Sequence, residues 1–275
     1  MECQFEVLWH LRGRKLFMDS GILGPLLLCD TEENLVPSAP KPRQLLAFLM
    51  LHTPQMVRAS DCITELWGTT PPKSAMSTLQ TYVLHIRQAL RGPHSDRSQL
   101  LLTRNQGYQL SLETADFDRF RFTELTRQGR LAAASGDHRT ASEMFRLALA
   151  QWRGPALSDV SAGPLSSPHL AELAETRQVV LEQRIEADLA LGRHRELVDE
   201  LKDLVARHPT HENVHAQLMV ALYRSGEPKR ASDVFHSLRR TLGDSLGIEP
   251  VPRLRRLHQA VLVGSAALDA PVTRR

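Results

Sequence analysis

The sequence predicts a mainly α protein with small β-sheets: a winged helix–turn–helix followed by an all-α domain of tetratricopeptide type. Three observations carry this. In the first 112 residues, short apolar runs precede three helical segments and a Gly-containing hairpin. Within them, residues 73–91 place Leu79, Val83, Ile86 and Leu90 on one helical face, at steps of four, three and four. Beyond residue 113 strand signals stop, and the text around Gly192 recurs around Gly226, 34 residues later. The expected division is an N-terminal extension over 1–18, a winged helix–turn–helix over 19–112 and helical repeats over 113–275.

Each element follows from local residues. Residues 22–28 are an apolar run interrupted by Gly24-Pro25, which suits a strand with a bulge or an edge position. Leu35 and Val36 suggest a second short strand. Residues 41–52 are rich in helix formers, with Leu45, Leu46, Leu49 and Met50 as a broad buried face. Pro54 ends that helix, because proline has no N–H to continue the ladder. Ser60 is the expected N-cap of a short second helix, with Asp61 in the first turn where the dipole favours a carboxylate. Ile63, Leu66 and Trp67 form its apolar side, Trp67 in the core, and Gly68 suits the position after its C-terminus. Pro71-Pro72 stiffen the link into residues 73–91. After Gly92-Pro93, the runs 100–103 and 108–112 flank Arg104-Asn105-Gln106-Gly107, the pattern of a hairpin.

The polar side of residues 73–91 carries Ser77, Thr78, Thr81, His85 and Gln88, with Arg87 and Arg91 near its end. Small hydroxyls, an imidazole and amides beside cations can enter a DNA groove and meet base edges and phosphates. By itself the segment fits an ordinary solvated helix face better. The order of strands, three helices and a hairpin favours the DNA reading, with the second and third helices as the DNA-binding pair and the hairpin as the wing.

The helical half is organised by its repeat. With Gly192 aligned under Gly226, Ala187 matches Ala221, Leu189 matches Tyr223 and Leu197 matches Ala231. A third fragment has Gly136 followed five residues later by Ala141, the offset of Gly226 to Ala231. Glycine permits a tight helix–helix turn, and small residues let helices approach closely. Helices are expected from Phe117 to about residue 136, then over 140–152, 171–191, 196–207, 212–224, 229–242 and 253–263. A non-helical loop is expected around Gly154-Pro155 and over 161–168.

Composition sets bounds. The 275 residues are 42% hydrophobic, enough for proper cores, and carry a net charge of only +3. Any nucleic-acid footprint must therefore be local. Residues 73–104 supply one: Lys73, Arg87, Arg91, Arg97 and Arg104 stand against Asp96 alone. Cys3, Cys29 and Cys62 are an odd number without CxxC spacing, which argues for reduced thiols in a cytoplasmic protein, with no disulfide frame and no zinc site. No apolar run reaches membrane-spanning length. Phosphate-binding, zinc-protease and nucleophile-elbow motifs are absent, so no catalytic residue, cofactor or metal is expected. His208, His211 and His215 are the densest histidine group, and helix-surface or capping roles explain them better than a metal.

Taken together, these residues resemble the Streptomyces antibiotic regulatory proteins, the short AfsR-like activators. The resemblance is carried by 22–26 (ILGPL), 43–51, 63–72 (ITELWG…PP), 79–90 (LQTYVLHIRQAL), 107–110 (GYQL), 115–120 (ADFDRF), 145–157 (FRLALAQWRGPAL) and 246–262 (LGIEPVPRLRRLHQAVL), and spans about 21–263. Two departures stand out. Residues 1–18 lie outside the pattern, and His85-Ile86-Arg87 replaces a more usual Ser or Arg followed by Leu-Arg.

The resemblance implies an OmpR-type winged helix plus a bacterial transcriptional activation domain. It implies an activator of an antibiotic gene cluster that binds promoter direct repeats as a homodimer on double-stranded DNA and contacts RNA polymerase holoenzyme. Residues 73–91 become the recognition helix. Ser77, Thr78, Thr81 and His85 become base-facing; Lys73, Arg87, Arg91 and Arg104 meet phosphates; Asn105 sits at the wing tip; Tyr82 is a packing residue. The loop Gly68, Thr69, Thr70, Pro71 and Pro72 becomes the polymerase-facing surface. The competing expectation is a helical-repeat interaction or sensor protein without DNA binding, and the local basic segment weighs against it.

Overall fold

The structure, a computed structural model, describes residues 18–30, 33–92, 95–112 and 116–269. It begins with a small antiparallel sheet. β1 (Met18–Gly21) pairs with β2 (Leu27–Asp30) from Met18↔Asp30 to Gly21↔Leu27, and β2 pairs with β3 (Glu33–Asn34). The strand expected over 22–28 is thus a turn joining two strands. Hydrogen bonding overrides hydropathy here: Ile22 and Leu23 are fully buried, but their N–H groups donate to the Asp118 carboxylate at 3.0 Å each, not to a neighbouring strand. The strand expected at Leu35 and Val36 lies at Glu33–Asn34 instead, because the Asn34 side chain takes the Val36 N–H (2.9 Å) and turns the chain. Residues 1–17 of the expected extension lie outside the described residues; Met18 opens β1.

α1 (Pro40–His52) is the central helix of the first part, buried at Leu45, Leu46, Phe48, Leu49 and Met50. It packs against α2 (Ala59–Trp67) and α3 (Ala75–Ala89), the helix–turn–helix pair. Between α1 and α2 lies β4 (Met56–Arg58), too short to show a sequence period. β5 (Arg91–Gly92) and β6 (Ser95–Asp96) pair after α3. The expected hairpin follows as β7 (Leu101–Arg104) and β8 (Gly107–Leu110), joined by Asn105-Gln106, in a sheet of order β4-β8-β7. Two local expectations fail. Arg58, in extended conformation, holds the N-cap of α2, and the Ser60 hydroxyl donates to Asp61 instead of capping. Trp67 is half-buried and stacks on Tyr82 with ring centroids 6.1 Å apart, outside the core; Tyr82 packs as expected.

The helical part comprises α4 (Asp118–Ala134), α5 (His138–Leu149), α6 (Ser166–Ala190), α7 (His194–Arg207), α8 (Glu212–Arg224), α9 (Pro228–Leu246) and α10 (Pro252–Leu262). The repeat is visible in the backbone. Gly136, Gly192 and Gly226 turn the three helical hairpins at φ +80°, +78° and +84°, a region that side chains with a Cβ avoid. Each turn closes identically: Gly136, Gly192 and Gly226 donate to Ala133, Leu189 and Tyr223, and the next residues Asp137, Arg193 and Glu227 donate to Ala132, Asp188 and Leu222. α6 starts at Ser166, inside the segment 161–168 expected to be loop, because Glu65 satisfies the N–H groups at its start.

The chain falls into two compact units, one comprising Met1–Thr123 and Ala150–Glu175, the other Glu124–Leu149 and Thr176–Arg275. Three carboxylates hold the first together across distant sequence. Asp118 accepts from Ile22, Leu23 and Arg153; Asp159 accepts from the Leu26 N–H (2.7 Å) and pairs with Arg43; Glu65 accepts from Gly163, Leu165 and Ser166. Cys62 is fully buried there, and burial, with the charge of Asp61, pushes its thiol up to about 12. The second unit has its own core of Ile185, Leu201, Val214, Met219, Ala231 and Leu238 and their neighbours. Beside it, fully buried Asp188 accepts from Ser142 (2.6 Å), Arg146 (2.7 Å), Arg184 (3.3 Å) and Arg193 (2.8 Å). Among the described residues, no helix is long and apolar enough to cross a membrane.

Candidate nucleic-acid interface

The helix–turn–helix is set by its caps. Gly68, at φ +65°, ends α2 with its N–H on the Thr64 carbonyl, and no atom lies within 4 Å of where its Cβ would be. Thr69, Thr70, Pro71 and Pro72 are exposed, and the Pro72 carbonyl receives the Ala75 N–H that opens α3. α3 then buries Ala75, Leu79, Val83 and Ile86, with Leu90 at its C-cap, as their spacing predicts.

The opposite face is available to a ligand. Ser77, Thr81, His85 and Gln88 are exposed and Thr78 is half-buried. The Ser77 hydroxyl donates to the Ser74 carbonyl (2.9 Å), and Thr81 donates to the Ser77 carbonyl (3.1 Å). These back-bonds commit the hydroxyl protons to the helix and leave oxygen lone pairs outward, where a base amino group could donate. Thr78 approaches the Ser74 hydroxyl at 3.5 Å. Lys73 is exposed in the turn before α3, and Arg91 is exposed just beyond it.

Arg87 sits differently from the other cations. Its Nε and Nη2 both donate to the Leu101 carbonyl (3.1 and 3.0 Å), and Nη2 also donates to Thr103 (2.8 Å). It is the strut between α3 and β7. A second chain of bonds fixes the hairpin: Arg104 donates to Gln109 (3.0 Å), and Gln109 donates to the Pro54 carbonyl (2.8 Å). Gln106 in the turn accepts the Ala59 N–H (2.9 Å), which ties the wing to the start of α2. Gly107 lies opposite Arg58, and any Cβ there would strike the Val57 carbonyl. Asn105 and Arg104 stand exposed at the wing tip.

The arrangement is a polar helix face and a braced hairpin flanked by cations. Among the described residues no group of three or more His, Cys, Asp or Glu could hold a metal ion. His211 faces Glu182 at 3.2 Å, and buried His215 bonds the His211 carbonyl. Sequence reading passed over two apolar side chains of α3, Met76 and Leu84, each about half exposed. It also missed Glu65, whose partners lie about a hundred residues away, beyond the reach of any local pattern.

Comparison with known proteins bears on this geometry. The family described as "Transcriptional regulatory protein, C terminal" matches residues 32–110, and the "Bacterial transcriptional activator domain" matches residues 117–262. The regulatory protein DnrI of Streptomyces peucetius is 42% identical over 260 residues, 92% of this chain and 94% of DnrI. The regulatory protein AfsR of Streptomyces coelicolor is 35% identical over 249 residues, 90% of this chain but 24% of AfsR. A solved structure of Mycobacterium tuberculosis EmbR, in complex with a low-affinity phosphopeptide, superposes with a TM-score of 0.85 at 33% identity, covering 93% of this chain and 66% of that one.

Proposed function

Because the chain belongs to the Streptomyces antibiotic regulatory protein family of DNA-binding transcriptional regulators, with an OmpR-type winged helix and a bacterial activator domain, we propose that it activates a secondary-metabolite gene cluster. In this reading paired protomers bind direct repeats near a promoter and recruit RNA polymerase, in the bacterial cytoplasm at the nucleoid. The observation that carries it is the exposed polar face of α3 beside the braced wing, with cations at both ends of the helix.

Ser77, Thr78, Thr81 and His85 face the bases, with Thr81 offering an acceptor lone pair to an adenine or cytosine amino group. Lys73, Arg91 and Arg104 meet phosphates, and Asn105 enters the adjacent groove. Arg87 acts through the wing it holds. Residues 68–72 form the polymerase-facing loop: short, exposed from Thr69 onward and stiffened by Pro71-Pro72. Residues 19–112 carry the DNA contacts, and 113–275 form the activation domain, although the first folding unit reaches beyond 112.

The test is binding of the full chain to promoter fragments from its own genomic neighbourhood, across a salt series, with random DNA as control. Tight binding to one fragment with evenly spaced protected repeats is the expected result. Equal, weak binding to every fragment would remove sequence specificity, and no binding at low salt would remove DNA binding altogether.

A further inference from the structure

The outward face of α3 holds an apolar residue that the roles above leave unassigned. Leu84 is 51% exposed. At about 100° per residue it lies roughly 140° around the helix from buried Leu79, beside the arc of roughly 160–200° that carries Ser77, Thr81 and Gln88. Met76, two turns earlier on the same helix, is 48% exposed. A single exposed leucine on a protein surface calls for no explanation. Its surroundings single this one out.

The Ser77 and Thr81 hydroxyls have given their protons to carbonyls of the helix, and Arg87 is turned to the wing. Around Leu84 the outward donors are the exposed amides of Gln80 and Gln88, one helical turn away on either side, and between them the face presents the Leu84 methyls beside Thr81. In the major groove one apolar feature distinguishes base pairs, the C5-methyl of thymine. We infer that Leu84 is a specificity-determining residue that packs against the C5-methyl of a thymine. The inference rests on α3 being the recognition helix, and it gives that helix a readout different from hydrogen bonding by Thr81 or His85.

The experiment removes that methyl alone. The full-length protein first selects duplexes from a randomised pool. The enriched duplex is then remade with each thymine in turn replaced by deoxyuridine. One position per protomer should weaken wild-type binding by about three- to fivefold, the worth of one buried methyl. Leu84→Ala should be indifferent to deoxyuridine at that position, while Leu84→Met, which keeps an apolar contact, should retain the discrimination.

Three results would overturn the inference. One is no sensitive position; another is Leu84→Ala remaining as sensitive as wild type; the third is sensitivity lost in Thr81→Ala but kept in Leu84→Ala. If Leu84→Ala instead alters the mass in solution and leaves the thymine preference intact, the side chain belongs to a protein contact and the assignment fails. Enrichment of no sequence at all is a separate outcome, and it removes the recognition role of α3 along with this one.

Discussion

Replacing Glu65 with alanine should destabilise the DNA-binding unit by about 3–5 kcal/mol. Glu65 is 1% exposed, and its oxygens accept the N–H groups of Gly163 (2.8 Å), Leu165 and Ser166 (3.0 Å each). These donors lie at the start of α6, where the first N–H groups of a helix have no partner within it. A buried donor left unsatisfied costs about 1–3 kcal/mol, and three of them, less what water recovers, give the figure above. For a unit of this size each kcal/mol moves the unfolding midpoint by roughly 2–4 °C, so a fall of roughly 10 °C is expected. Glu65→Gln keeps the volume and one carbonyl oxygen but turns an amide donor toward donors, and should fall between. Gly163→Ala strains the same joint, because its Cβ would collide with the Glu65 backbone carbonyl and carboxyl group. The double variant should therefore be less destabilised than the sum of the two, by roughly 1–2 kcal/mol. Urea unfolding followed by tryptophan fluorescence measures this, since Trp67 and Trp152 both lie in the unit. A loss below about 1 kcal/mol in Glu65→Ala, or full additivity with Gly163→Ala, would refute the reasoning.

The other expectations concern DNA, acid and truncation. Arg91→Ala should reduce the slope of log K against log salt by about 0.9, the signature of one phosphate contact. Arg87→Ala should keep the slope and cost roughly 1–2 kcal/mol of stability, because its bonds go to Leu101 and Thr103; salt-series binding beside urea titration checks both. Thr81→Ala should relax selectivity by roughly 1–3 kcal/mol at one base pair, read by competition with single-base variants; equal loss on random DNA would count against it. In the second unit, burial by itself would raise the Asp188 carboxyl, but Ser142 and the charges of Arg146 and Arg184 outweigh it and hold it below its ordinary value. Its stabilisation is therefore present above about pH 4, the unfolded value, and is lost as pH falls through the folded one. Asp188→Asn should flatten acid unfolding in that window, and an unchanged acid profile would remove Asp188 from the account. A fragment of residues 18–112 should show little cooperative unfolding, whereas 18–176 should regain it, as calorimetry can test; a sharp transition in the shorter piece would show that the carboxylate joints are dispensable.

Much of this fold was legible because its signals are local. The face of α3 follows from four apolar residues at helical spacing, and all four are buried. The hairpin follows from two apolar runs around a polar turn, and the repeat from three glycines that prove to share one backbone conformation. The errors are local signals overruled by distant partners. Ile22 and Leu23 look like strand by hydropathy, but their N–H groups go to Asp118. Ser60 has the chemistry of a cap, yet the Ala59 N–H is engaged by the wing and the helix begins one residue before it. Trp67 has the size of a core residue, but it stacks at the margin with Tyr82.

The same distinction separates which parts of the site could be read. Groups that face solvent on one helix share a periodicity, so Ser77, Thr81 and His85 can be drawn from sequence as a set. A cation's use depends on geometry: Arg87 and Arg91 are four residues apart on similar text, yet one braces the wing and the other stands at the surface. Buried carboxylates are the least legible, since an isolated Glu or Asp has nothing nearby to mark it. The carboxylates of buried Asp118 and Glu65, and of exposed Asp159, reach partners 35 to 133 residues away. Each satisfies backbone N–H groups that burial would otherwise leave unpaired. That requirement explains why carboxylates stand there: they hold the sheet, the helix–turn–helix and the 150–175 segment as one folded unit. The exposed polar face of α3 is carried on that unit, so its geometry depends on residues far from it in the sequence.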